Sequence, residues 1–101
     1  MSAVMKRERW GFFEWDSDKA EANESKHGIS FDDACKVFDD PFHALEDASD
    51  RGEERVGVIG LSPSVHPFHP LYVVAKDLGE NHWRIISARP ATKQERRRYE
   101  D

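Results

Sequence analysis

The sequence has very little cysteine: Cys35 is the single one among 101 residues. One cysteine cannot form an intramolecular disulfide, so the fold must rest on the packing of its core, and we expect a reducing compartment. No apolar run approaches the roughly 20 residues that cross a bilayer, and no signal-peptide pattern opens the chain. We therefore expect a cytoplasmic protein that makes no contact with a membrane.

Several motifs that carry chemistry are also missing. The sequence contains no phosphate-cradling glycine loop, no dinucleotide fingerprint and no Gly-x-Ser-x-Gly elbow, which argues against nucleotide-driven, redox and serine-hydrolase classes. Cys35 lies on an apolar helical stripe and is expected to be a core residue, not a nucleophile.

Histidine is the one potential metal ligand in good supply, with five residues. His66 and His69 are spaced i, i+3 in "HPFHP", but each precedes a proline, and no cysteine or carboxylate accompanies them at ligand spacing. A metal-binding domain that uses this pair stays as a minor alternative, and we expect neither a metal nor a cofactor. His43 and His82 are expected to be exposed or to end strands.

Charge is unevenly distributed along the chain. The net charge is −5, and residues 31–54 hold nine acidic residues against two basic ones. Residues 76–101 instead hold seven basic residues against five acidic ones. This distribution argues against non-specific binding of nucleic acid and allows an anion-binding patch near the C-terminus.

Two successive helices are predicted in the first half of the chain. Asp16 or Ser17 can cap a helix that runs to about His27 and stops at Gly28. Ser30 caps the next helix, which Pro41 ends. Its apolar stripe at i, i+3, i+4, i+7 comprises Phe31, Ala34, Cys35 and Phe38.

Strand patterns dominate the rest. They are predicted at residues 11–15, weakly at 43–47, and at 54–60, 71–76 and 83–89, with a proline-rich loop over 61–70. Thr92 and Glu95 form a capping box for a short last helix. The order β-α-α-β-β-β-β-α predicts an α+β fold with a mainly antiparallel sheet of four to five strands and two helices packed on it. We expect residues 1–10 to be a flexible segment and residues 11–101 to form one domain.

The segment "NESKHGIS" (23–30) raises the question of function. Gly28 and Ser30 explain the turn between the helices, but Lys26 and His27 stay unexplained by it. Ala20, Asn23 and His27 share a helix face that lacks large apolar residues, so Asn23 and His27 need hydrogen-bond partners if that face is buried. Either His27 is a structural histidine or the pair carries chemistry.

Several segments in order resemble the BrnT family of toxins of bacterial type II toxin–antitoxin systems: "FEWD", "KHGISF", "VFDDP", "GEER" and "RIISAR" followed by "ERRRYE". The resemblance covers about residues 12–101. It implies a fold related to the RelE-like ribonuclease toxins and an endoribonuclease that inhibits translation by cleaving RNA. It also implies a cognate BrnA-like ribbon-helix-helix antitoxin, a complex that represses its own operon by contacting operator DNA through the antitoxin, and a toxin dimer within that complex.

The resemblance further implies metal-independent cleavage, in which a base activates a ribose 2′-hydroxyl and cations stabilise the phosphorus transition state. Position by position it assigns His27 as general base or acid and assigns the phosphate-binding roles to Lys26, Arg55, Arg84 and Arg89. Family members often have an arginine where this chain has Leu61 and a tyrosine where it has Ala75 or Lys76. The alternative is therefore a catalytically weakened or inactive toxin fold that acts mainly by binding the antitoxin.

Overall fold

The computed structural model describes residues 2–63 and 66–100, which form one six-stranded sheet and three α-helices. In chain order the elements are β1 (Ala3–Glu8), β2 (Gly11–Asp16), α1 (Ser17–His27), α2 (Phe31–Lys36) with a 3₁₀ turn (Val37–Asp39), β3 (Ala44–Asp47), β4 (Val56–Ser62), β5 (His66–Asp77), β6 (His82–Pro90) and α3 (Lys93–Glu100). The α+β class is confirmed, and the predicted order holds from β2 onward.

The sheet differs from the prediction in two ways. It has six strands in the order β1-β2-β6-β5-β4-β3, and β2 runs parallel to β6. The sixth strand is β1, which lies in the segment 1–10 that we expected to be flexible. It pairs with β2 in register from Ala3↔Asp16 to Glu8↔Gly11. Its apolar signal is weak because alternate positions of β1 are exposed, and Val4 supplies its packing on the core.

Both predicted helix junctions form as expected, since local capping decides them. Asp16 accepts a hydrogen bond from the backbone N–H of Asp18, and Gly28 ends α1 with a φ of 72°. Ser30 Oγ accepts from the backbone N–H of Asp33 and caps α2. A left-handed φ suits glycine because a Cβ is disfavoured there.

Helices α1 and α2 cover one face of the sheet, which we call the helix face. Its core comprises strand residues Phe13, Trp15, Val58, Leu71, Val73, Ala75, Ile85 and Ala88, and helix or turn residues Ile29, Phe31, Ala34, Cys35 and Val37. The stripe predicted for α2 is therefore the core contact, and the Cys35 thiol is buried, as expected. Burial raises the pKa of that thiol to about 12, which keeps it protonated and unreactive.

The opposite face, which we call the open face, is covered only at one end. Helix α3 packs there against a small core of Ile59, Tyr72 and Ala91. The predicted capping box forms: Thr92 Oγ1 accepts from the Glu95 N–H, and Glu95 Oε1 accepts from the Thr92 N–H. The remainder of the open face carries mainly polar and charged side chains, together with the apolar side chains of Val74 and Ile86.

The proline-rich stretch is less irregular than its composition suggested. We predicted a loop over residues 61–70, but β4 continues to Ser62 and β5 already begins at His66. Residues 64 and 65 lie outside the described part of the chain. Phe68 is 94% exposed in this hairpin arm. Prolines occur in strands where their missing N–H is not needed for pairing, which a composition rule does not detect.

Two further observations concern metal and membrane. Over residues 2–63 and 66–100, no group of three or more His, Cys, Asp or Glu side chains is placed to hold a metal ion. None of the helices in those ranges is both long and apolar enough to cross a membrane.

Candidate active site

A row of charged side chains crosses the uncovered end of the open face. Glu14 on β2 is level with Arg84 on β6, and Arg84 is level with Lys76 on β5. Their neighbours Phe13, Ile85 and Ala75 are buried in the helix-face core. Since side chains alternate along a strand, the three charged residues point to the other face.

Glu14 is the centre of this group. Arg84 donates from its NH1 nitrogen to Glu14 Oε2 at 2.6 Å. His82 Nε2 lies 2.8 Å from Glu14 Oε1, within ion-pair distance although the ring N–H is not aligned for a hydrogen bond. The side chain of Glu14 is 17% exposed, that of His82 31% and that of Arg84 37%. The Glu14 carboxylate is therefore largely buried, while the side chains of His82 and Arg84 are partly exposed to solvent.

The group combines the functions that metal-free acid–base chemistry requires. A carboxylate accepts a proton, an imidazole can donate or accept one, and a guanidinium binds phosphate through its planar fork. Arg84 donates one hydrogen bond to Glu14, and its other N–H groups remain available to a ligand. Within the described residues Lys76 has no ion-pair or hydrogen-bond partner. These four side chains can bind an anion and move protons beside it.

Arg55 lies beside this row, at the base of the hairpin that joins β3 to β4. Its guanidinium bonds to the Glu53 carboxylate and, at 2.9 Å, to the backbone carbonyl of Glu54. The side chain is only 19% exposed. Arg55 is thus held in place, and it lines a cavity on the open face.

Arg89 also points to the open face, but it is engaged with α3. Its two terminal nitrogens donate to the two carboxylate oxygens of Glu95 at 2.7 and 2.9 Å. Its guanidinium also lies 4.5 Å above the centre of the Tyr72 ring. The Glu95 bonds raise the pKa of Arg89, and the same pairing holds the pKa of Glu95 below its usual range. In this structure Arg89 fastens α3 to the sheet.

Lys26 and His27 lie at the end of α1, on the helix face. The inward position of α1 is occupied by Asn23, whose amide Nδ2 donates to the carbonyls of Ile29 and Ala88 and whose Oδ1 accepts from the Ala88 N–H. Neither Lys26 nor His27 has a polar partner among the described residues. The five residues assigned from the family resemblance are thus divided between the two faces, three on the open face and two on the helix face.

Sequence reasoning missed two members of the open-face group, Glu14 and His82. The spacing of His82 and Arg84, two residues apart in a strand, puts them on one face and was readable from the sequence. The contribution of Glu14 depends on the parallel pairing of β2 with β6, two strands separated by most of the chain. No local signal specifies that pairing.

Comparisons with known proteins agree with this architecture. A family model described as "Ribonuclease toxin, BrnT, of type II toxin-antitoxin system" matches residues 15–95. The chain is therefore one of the ribonuclease toxins of type II toxin–antitoxin systems. Within that class it belongs to the BrnT family, which implies an antitoxin partner.

One solved structure supports the fold. The crystal structure of the Brucella abortus ribonuclease toxin, BrnT, aligns with a TM-score of 0.54 over 78% of this chain and 94% of that chain. Sequence identity is 23%, so this likeness speaks for the fold alone. No curated protein sequence matches the chain.

Proposed function

We propose that this protein is an endoribonuclease that cleaves RNA without a metal ion, and that cleavage takes place on the open face. The observation that carries this proposal is the contact of Glu14 with both Arg84 and His82 at the uncovered end of the sheet. Membership of a ribonuclease toxin family supports the reaction class. The group of Glu14, His82, Arg84 and the unpartnered Lys76 on the open face supports this position for the active site.

The chemistry follows from the residue types. Glu14 accepts the proton of a ribose 2′-hydroxyl, and the oxygen attacks the adjacent phosphorus. Arg84 and Lys76 neutralise the charge that develops on the phosphoryl oxygens. His82 donates a proton to the departing 5′-oxygen. The O2′–P bond forms as the P–O5′ bond breaks, leaving a 2′,3′-cyclic phosphate and a 5′-hydroxyl, with no external reactant consumed.

Arg55 extends the positive surface along the same face and is proposed to contact the RNA backbone. The resemblance assigned proton transfer to His27 and phosphate binding to Lys26 and Arg89. The present proposal gives Lys26 and His27 no role in the chemistry, since α1 packs against the helix-face core and Arg84 points to the open face. Arg89 can take a phosphate only by giving up Glu95.

The activity test uses purified, tag-free protein and a mixed-sequence RNA in excess EDTA. We expect fragments that end in 2′,3′-cyclic phosphates, and growth arrest when the chain is induced alone in a bacterium. Folded protein that leaves RNA intact in EDTA and permits normal growth contradicts the proposal and favours the non-catalytic antitoxin-binding module. Cleavage that requires an added divalent cation contradicts the metal-free mechanism.

We also propose that the antitoxin is a BrnA-like ribbon-helix-helix protein, that the complex contains a toxin dimer, and that it represses its own operon. The family supports an antitoxin, and the net charge of −5 makes direct operator binding by this chain unfavourable. Coexpression with the short gene adjacent to this one should restore growth and yield a complex that shifts operator DNA. A shift by the toxin alone would contradict the antitoxin's role as the DNA reader.

A further inference from the structure

A cavity of about 370 Å³ lies on the open face under the tip of the β3–β4 hairpin. Its lining residues are Ala48, Asp50, Arg51, Glu53, Arg55, Val74 and Ile86. The volume falls in the lower part of the range typical of ligand sites, roughly 300–1,000 Å³. The floor is apolar and the rim is charged, which suits a flat heterocycle with polar edges.

The cavity adjoins the charged row directly. Val74 precedes Lys76 by two residues on β5, so the two side chains share a face and are separated by roughly 7 Å. A bulge in β6 leaves Ile86 and Ser87 to face Val74, one step along from Arg84. A group seated on Val74 and Ile86 therefore lies next to a phosphate bound by Arg84 and Lys76, as the base of a nucleotide lies next to its 3′-phosphate.

The hairpin tip is a tight turn with two central residues. Asp50 and Glu53 exchange backbone hydrogen bonds of 3.1 and 2.9 Å, and the two central residues, Arg51 and Gly52, have φ of 51° and 79°. Positive φ at both central positions is the type I′ geometry, which matches the twist of the flanking strands. The turn thus sets the backbone that carries the polar rim of the cavity.

The rim presents one carboxylate that is free to accept. The Glu53 carboxylate forms an ion pair with Arg55, whereas the Asp50 carboxylate has no partner among the described residues. A single carboxylate accepts two parallel hydrogen bonds best from two adjacent N–H donors. Guanine carries such a pair, N1–H and N2–H, on its Watson–Crick edge. Adenine, cytosine and uracil each lack two adjacent N–H donors there.

We propose that this cavity binds a guanine base of single-stranded RNA, through Asp50 on its donor edge and Val74 and Ile86 on its face, and so directs cleavage to the 3′ side of guanosine. The Arg55 guanidinium adds a planar cation against which a base can stack. This inference rests on the proposed ribonuclease function and adds its base preference.

The first test compares two RNA oligonucleotides of uridine that differ in one central residue, guanosine or adenosine. Wild-type protein should cleave after guanosine at least about tenfold faster, because adenosine offers Asp50 no pair of adjacent N–H donors. Asp50→Asn, which keeps the turn but lets an amide N–H replace an acceptor, should reduce that ratio to below about threefold. Glu54→Gln is the matched control, because Glu54 is on the same hairpin but does not line this cavity.

The second test measures binding without catalysis. Guanosine 3′-monophosphate and adenosine 3′-monophosphate are titrated into the His82→Gln variant, with the amide signals of Val74 and Ile86 followed by NMR. We expect shifts with the guanosine compound that Asp50→Asn abolishes. Cleavage with no base preference, or with a preference that Asp50→Asn leaves intact, overturns this inference and leaves the ribonuclease standing. Asp50-dependent guanosine binding without any RNA cleavage supports the cavity and overturns the proposed activity.

Discussion

Arg84 on β6 and Glu14 on β2 meet at 2.6 Å across the parallel strand pair, although 70 positions separate them in the sequence. The contact fixes the carboxylate beside His82 and leaves most of the guanidinium donors open to solvent. It also joins the β1–β2 ribbon to the sheet. One ion pair therefore links the topology of the fold to the chemistry that we propose for it.

Removing the guanidinium should impair cleavage far more than it impairs folding. We expect Arg84→Ala to lower the single-turnover rate by about 10²–10³-fold, because a preorganised cation at the phosphoryl oxygens is lost. The ion pair is partly exposed, so its loss should change the free energy of unfolding by about 1 kcal/mol or less. Arg9→Ala, at an exposed arginine outside the site, is the matched control. A rate for Arg84→Ala within about twofold of wild type would contradict this role.

Asn23 should be the most sensitive polar residue of the helix face. Asn23→Ala leaves the Ala88 N–H and two carbonyls without partners in a buried place. Each unsatisfied group costs about 1–3 kcal/mol, so we expect a loss of about 3 kcal/mol in the free energy of unfolding, measured by urea titration. Ser25→Ala, at an exposed position of the same helix, should change it by less than about 0.5 kcal/mol. Equal effects of the two substitutions would contradict this stabilising role of the Asn23 hydrogen bonds.

The contact between Tyr99 and Asp40 predicts a specific pH dependence. Burial and the hydrogen bond to Asp40, at 2.7 Å, raise the pKa of Tyr99 to about 12 from 10.0. Because the unfolded tyrosine loses its proton first, the free energy of unfolding should fall as pH rises from about 10 to 12. In Tyr99→Phe that contribution should disappear, and stability at neutral pH should drop by about 1–2 kcal/mol. An unchanged alkaline slope in this variant would rule out the contact.

The Tyr99–Asp40 contact also affects stability at acid pH, because the pKa of Asp40 is lowered whereas that of Tyr99 is raised. Burial alone would raise the pKa of Asp40, but hydrogen bonds from the Leu61 N–H, the Tyr99 hydroxyl and the Phe42 N–H hold it below its ordinary value of 3.8. The folded state therefore binds this proton less readily than the unfolded state. Asp40 therefore contributes to the free energy of unfolding above pH 3.8, its ordinary pKa. That contribution is lost as the pH falls through the lower pKa of the folded state.

Arg89 and Glu95 should behave as a coupled pair in stability measurements. A double-mutant cycle of Arg89→Ala and Glu95→Ala should give a coupling of about 1 kcal/mol, since the bidentate contact is partly screened by solvent. The Arg89→Ala variant should also show faster amide exchange throughout α3. Additive effects, together with a loss of cleavage in a fully stable Arg89→Ala protein, would instead support the phosphate-binding role that the family resemblance assigned to it.

Local signals predicted the parts of this fold that short-range physics decides. The cap at Ser30, the stop at Gly28, the stripe from Phe31 to Phe38 and the Thr92–Glu95 box each depend on residues within one or two helical turns. The structure confirms all of them. The hydrogen-bond requirement of Asn23 was also predictable, because an inward amide needs partners, but its partner on β6 was not.

The rest depends on long-range pairing. Strand β1 has only a weak apolar pattern, and its existence follows from the free edge of β2. The parallel pairing of β2 with β6 brings Glu14 to His82, and nothing near either residue indicates it. The family pattern supplied a list of basic residues, and the fold divides that list between two faces.

Two histidines test the central claim most directly, because each represents one face of the sheet. The measurement is the single-turnover cleavage rate of one RNA in EDTA by His82→Gln and His27→Gln, with the fold of each checked by urea titration. We predict a loss of about 10²–10⁴-fold for His82→Gln, the usual contribution of a general acid or base, and a rate within about threefold of wild type for His27→Gln. The reverse pattern would contradict the account and place the active site at the end of α1.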